Sequence, residues 1–168
     1  MEFIYISALS FLFGFFQKIA DGHNEHGLNW FPYAGILFGV IWGGIGYYLV
    51  GYNQVITSIY LAIVLYWIYK LKVDHTNHAI SVLMILFGVF LSHNSIDTGS
   101  VVYLLLSYIL IDIVKHKFDL ERSYFFRYRL QFILIPIIYS VIIQDIFGSV
   151  IIFNLLGISL ANKIFRIK

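Results

Sequence analysis

The chain of 168 residues is 60% hydrophobic and only 12% charged, with a mean hydropathy of +0.84. Soluble domains average about 45–50% apolar and about 25% charged residues, so this composition belongs in a bilayer. The absence of cysteine excludes disulfides, iron–sulfur clusters and thiolate metal sites, and a net charge of +2 gives no basis for a nucleic-acid partner.

Polar punctuation divides the sequence into seven apolar runs, each predicted as a membrane helix. The first, Phe3–Ile19, has no basic region ahead of it and no small-residue cleavage site. It is expected to be a retained span rather than a removed signal peptide. The second, Trp30–Val50, carries Gly35, Gly39 and Gly43 at intervals of four, a face that lets a neighbouring helix approach closely. Val55–Leu71, His78–Leu91, Val101–Val114, Leu130–Ile143 and Ile146–Ala161 follow. A crossing takes about 20 helical residues. The first three runs meet or approach that length, and the last four must borrow flanking polar residues. A re-entrant hairpin from Leu130 to Ala161, shielded by protein, is the alternative for the last two.

With seven crossings, all eleven Lys and Arg fall on one side, while Glu2, Asp97 and Asp145 fall on the other. The positive-inside rule then sets the N-terminus outside and the C-terminus in the cytosol. The expected fold is an all-α polytopic membrane bundle of about seven transmembrane helices, a single integral-membrane domain over residues 1–168, multi-pass in the cell membrane. The longest cytosolic connection, KHKFDLERSYFFRYR, mixes basic and aromatic residues and is expected to lie against anionic headgroups.

Two polar knots interrupt the pattern on the cytosolic side: DGHNEHG at Asp21–Gly27 and VDHTNHA at Val73–Ala79. Each holds His-x-x-His with an Asp ahead of it. Residues three apart on a helix point the same way, so His23 with His26, and His75 with His78, form chelating edges wherever the knots continue a helix. Runs one and three both lead into a knot and then a returning run, and two parallel hairpins would bring the knots to one membrane face. Imidazole and carboxylate without thiolate suit Zn, Mn, Fe or Ni, and Mg only through the carboxylates. The expected metal ligands are His23, His26, His75, His78, Asp21 and Asp74. Asp21, Glu25 and Asp74 are expected as acid or base, with Lys18 and Lys70 meeting a phosphate. Helix capping by His and Asn, and snorkelling of the lysines, is the structural alternative.

Other ionisable residues are less informative. Asp112 falls in the last turn of the fifth run, either facing the bundle interior or paired with Lys115 at the interface. His93 and Asp97 fall on the side opposite the knots, and His116, between two lysines, reads as surface.

Three function classes fit these observations. One is a metal-assisted enzyme, a hydrolase or transferase, acting on a phosphorylated lipid or isoprenoid with Zn, Mn or Mg. The second is a non-catalytic subunit docking a protein partner through Lys117, Arg122, Arg127 and Arg129. The third is a divalent-metal or proton transporter, which would need a continuous polar route that the runs do not supply.

Overall fold

The structure, a computed structural model, describes residues 1–92, 96–120, 123–127 and 130–167. His93, Arg122, Arg129 and Lys168 lie outside the described residues, so the connection from Lys115 to Arg129 is described only in part. All regular structure among the described residues is helical. In chain order it comprises α1 (Glu2–Glu25), α2 (Ala34–Val50), α3 (Gln54–Tyr69), α4 (Thr76–Leu91), α5 (Thr98–Lys117), the single turn α6 (Tyr124–Arg127), α7 (Gln131–Ile143) and α8 (Ile151–Phe165). A 3-10 turn, Ile146–Val150, leads directly into α8.

Local chemistry sets these boundaries. The Asn53 side chain accepts the Ile56 N–H at 2.9 Å and starts α3, and Asp97 starts α5 by accepting from Ser100 N–H. Pro32 and Tyr33, the latter left-handed at φ 64°, keep Trp30 and Phe31 out of α2. The second apolar run therefore yields a helix of only 17 residues. Conversely, the fifth run gains its Asp97 cap and a helical Lys115–Lys117 turn, reaching 20 residues. Among the described residues, three helical stretches are long and apolar enough to cross a membrane: Glu2–Glu25, Thr98–Lys117 and Ile146–Phe165. The four remaining long helices are apolar but shorter.

Small residues set the closest packing. At Gly39 a Cβ would stand 2.9 Å from Asn77 Cα, and at Gly43 another would stand 2.8 Å from Ser81 Cα. The glycine face of α2 thus receives the backbone of α4, and the Ser81 hydroxyl donates across this seam to the Gly39 carbonyl at 2.5 Å. On the other side of α1, Gly157 of α8 leaves no room for a Cβ against the Phe11 carbonyl. Gly14 is likewise filled by Asn154. The core centres on Phe13 of α1, whose ring meets Trp42 at 5.2 Å and Tyr60 at 5.1 Å, both edge-on.

These contacts fix direction. Gly39 with Asn77 and Gly43 with Ser81 make α2 and α4 parallel. Tyr66 with Tyr108 and Lys70 with Asp112 make α3 and α5 parallel. Gly14 with Asn154 and Gly22 with Ile167 do the same for α1 and α8. The C-terminal ends of α1, α3, α5 and α8 therefore gather with the N-terminal ends of α2, α4 and α7. Both polar knots lie at this one end.

Candidate functional site

Helix α1 does not stop at its apolar run but continues through the first knot to Glu25. Asp21 and Glu25, four apart, consequently share one face of its last two turns. The second knot behaves differently. His75 is the extended N-cap of α4 (φ −112°, ψ 154°), and His78 occupies the helix's first turn. With α1 ending where α4 begins, the knots meet: His78 Nε2 lies 2.8 Å from Asp21 Oδ1 and 3.8 Å from Glu25 Oε1. On its other side His78 Nδ1 lies 3.3 Å from Asp74 Oδ1. Asp21 and His78 are the sheltered pair at 17% and 15% exposure, whereas Asp74 is 59% exposed. Trp42 stands behind the imidazole, ring centroids 6.5 Å apart.

Electrostatics at this point favour a cation. Two carboxylates sit at the C-terminal end of α1, where the helix dipole adds partial negative charge. Asp74 lies outside the helices. Burial works to raise its pKa, but its own backbone N–H and the His78 and His75 imidazoles outweigh that and hold it below the ordinary 3.8. Asp74 is therefore anionic at neutral pH and orients His78 through Nδ1, leaving Nε2 toward Asp21 and Glu25. That is the usual carboxylate–histidine arrangement behind a metal ligand. Single donor atoms of Asp21, Glu25 and His78 lie within 4.8 Å of one another. Donors at about 2.1 Å from a shared metal stand about 3–3.5 Å apart, so small side-chain rotations bring these three into range.

The group opens onto a cavity of 530 Å³ that reaches down between the helices to Ile63, Tyr66, Ile151 and Asn154. Lys70 and Lys72 at the end of α3, with Asp112, Lys115 and His116 on α5, line the same cavity. Lys70 Nζ donates to Asp112 Oδ2 at 2.7 Å, and His116 Nε2 lies 3.6 Å from Asp112 Oδ1. The lining thus mixes the carboxylates of Asp21, Glu25, Asp74 and Asp112 with Lys70, Lys72 and Lys115 and the imidazoles of His78 and His116, together with apolar and aromatic side chains.

The remaining predicted residues lie elsewhere at the same end. Lys18 Nζ donates to His26 Nε2 at 3.1 Å, which occupies that imidazole's lone pair. His23 turns from the carboxylates, donates from Nδ1 to the Leu28 carbonyl at 2.9 Å and stacks on Phe38. His23 and His75 border a second cavity, of 320 Å³, beside the starts of α2 and α4. Of the expected set, then, Asp21, Glu25, Asp74 and His78 form one group, and Lys70 lines the same cavity. His75 meets the group at its edge, its Nε2 3.9 Å from Asp74 Oδ2, while His23, His26 and Lys18 make their contacts elsewhere.

Asp112, Lys115 and His116 belong to the cavity mouth, which the sequence reading did not foresee. Asp112 and His116 are four apart on α5, a spacing that could have marked a shared face. The partner of Asp112 is Lys70, 42 residues away, a pairing only the parallel packing of α3 and α5 creates.

No known protein family, curated protein or solved structure matches this chain.

Proposed function

We propose that this chain is a multi-pass protein of the cell membrane, with about seven crossing helices and its N-terminus outside. Its cytosolic end carries a metal-assisted site for the phosphate of a lipid or isoprenoid. The alternating directions of the long helices and the gathering of Lys18, Lys70, Lys72, Lys115 and Lys117 at one end support the topology. One observation carries the chemistry. Asp21, Glu25 and His78 present donor atoms within 4.8 Å of one another at a cavity that Lys70, Lys72 and Lys115 also line.

Two carboxylates and one imidazole suit Mn, Zn or Mg and leave coordination positions for water and a phosphate oxygen. Asp74 positions His78, while Lys70 and Lys115 face the non-bridging phosphate oxygens. A metal held by Asp21, Glu25 and His78 would supply Lewis acidity; in hydrolysis an attacking water would give its proton to a neighbouring carboxylate as its oxygen bonds phosphorus. The ester P–O bond breaks, and the departing alkoxide oxygen takes a proton. In transfer, an acceptor hydroxyl replaces the water.

The test is release of inorganic phosphate from dodecyl phosphate and geranylgeranyl phosphate by the purified protein supplied with Mn, Zn or Mg. Metal-dependent release that disappears in Asp21→Asn and His78→Gln is expected. No release from either compound with any of the three metals contradicts the hydrolytic reading.

A further inference from the structure

Helices α7 and α8 are joined tightly at the end remote from the site. There Gly148 of the connecting turn lies against Ser140 and the Pro136 carbonyl of α7. Toward the polar end the two helices lean on different neighbours. Phe132, in the first turn of α7, packs on α3 and α5, its ring 5.8 Å from Tyr66 and 5.2 Å from Tyr108. Phe165, in the last turn of α8, packs on α1 and on the approach to α2, 6.1 Å from Phe15 and 4.9 Å from Trp30. Pro136 also removes the hydrogen bond that would tie the Phe132 carbonyl into α7, loosening that first turn.

The 530 Å³ cavity is lined by both helices between these contacts. Its sides there are Phe132 on α7 and Ile151, Leu155 and Ile158 on α8, spaced to form one helical stripe. The same cavity is charged around Asp21 and Lys70 and mostly apolar along this side, with the amide side chains of Gln131 and Asn154 among the apolar ones.

We infer that the cleft between α7 and α8 holds the hydrocarbon tail of an amphiphile whose anionic phosphate head lies at the cavity mouth, reached sideways from the bilayer. This deepens the phosphate reading above and rests on it. The head is placed by the metal-assisted site proposed above, with Lys72 and Lys115 on the same cavity lining and Lys70 paired to Asp112. The apolar stripe places the tail. Moving a tail from bilayer to cleft brings no hydrophobic gain, since lipid is as apolar as leucine. The head thus fixes occupancy, and the cleft fixes where the chain lies. A free phosphate would leave the stripe without a function.

Photolabelling of the wild-type protein in phosphatidylcholine nanodiscs tests this directly. The probe is dodecyl phosphate with a diazirine at the tail end, used with manganese or with a chelator; dodecanol with the same diazirine is the headless control. Expected is phosphate-dependent labelling concentrated on α7 and α8 near Phe132, Leu155 and Ile158. Excess unlabelled dodecyl phosphate should abolish it, and excess inorganic phosphate should leave it in place. Labelling that matches the headless control, spread over outward helix faces, overturns the inference. Loss of the label to inorganic phosphate as readily as to dodecyl phosphate assigns the site to the free ion and also overturns it. Cleft labelling equal with manganese and with chelator upholds the tail assignment while removing the metal from the proposed function.

Discussion

His78 Nε2 and Asp21 Oδ1 stand 2.8 Å apart although 57 positions separate them in the chain. This contact joins the two polar knots, and a metal would have to replace the proton it contains. Only an imidazolium can donate to Asp21 and Asp74 together; a metal ligand must offer the lone pair of Nε2. Loading a metal therefore releases a proton, and acid should release the metal. Manganese bound to the purified protein, followed by electron paramagnetic resonance, should fall as pH drops through the imidazole range and return when pH is restored. Occupancy independent of pH would place the ion away from His78.

Asp74 is expected to tune this site without being essential to it. Asp74→Asn should leave metal stoichiometry intact and weaken affinity about 10–100-fold, the usual effect of removing a carboxylate behind a metal-bound histidine. Titration of bound manganese against a competing chelator reads the change.

The lowered pKa of Asp74 also has a sign in stability. A depressed folded-state pKa contributes stability above the ordinary value of 3.8, and that contribution is lost as pH falls through the lower folded value. The melting temperatures of wild type and Asp74→Asn should differ most near neutrality and converge below pH 3.8. Thermal melts in detergent across this range check the direction; a gap that widens in acid would contradict it.

The glycine face of α2 gives a sharper mechanical test. Gly43→Val places a Cβ where Ser81 Cα leaves only 2.8 Å, so backbone must move, at a cost of about 1–3 kcal/mol. Gly44→Ala meets only the Met84 methyl at 3.6 Å, an ordinary contact, and should leave the melting temperature unchanged or slightly raised. Equal destabilisation by both would contradict the close α2–α4 seam.

Lys70 and Asp112 link α3 to α5 at the cavity mouth, with side chains 28% and 14% exposed. A double-mutant cycle of Lys70→Ala and Asp112→Ala, read by denaturation in detergent, should give a coupling energy of about 1 kcal/mol. A coupling near zero would mean that α3 and α5 are held together by Tyr66, Tyr108 and their neighbours alone.

Much of this organisation is legible in sequence, and the failures have physical causes. The four-residue glycine period of α2 predicts a close neighbour, and α4 supplies it. The alternation of apolar runs sets both knots at one end, and they touch because α4 packs beside α2. The structure does not bring the four histidines to one point, because spacing of three aligns side chains only inside a helix. His26 is the C-cap of α1 and His75 the extended N-cap of α4, so neither follows the rule. His23 is helical, but it points to the aromatic side of α1, opposite the face shared by Asp21 and Glu25. The Lys70–Asp112 pair and the cleft between α7 and α8 depend on which helices become neighbours, and apolar runs of similar composition do not encode that visibly.

Metal content by elemental mass spectrometry tests the central claim most directly. It would compare detergent-purified wild type, His78→Ala, and a triple variant combining His23→Ala, His26→Ala and His75→Ala, each loaded with manganese or zinc and desalted. The geometry predicts stoichiometric metal in the wild type and in the triple variant, and its loss in His78→Ala. Wild type without metal after loading, or a triple variant that loses metal as completely as His78→Ala, would contradict a site built from Asp21, Glu25 and His78.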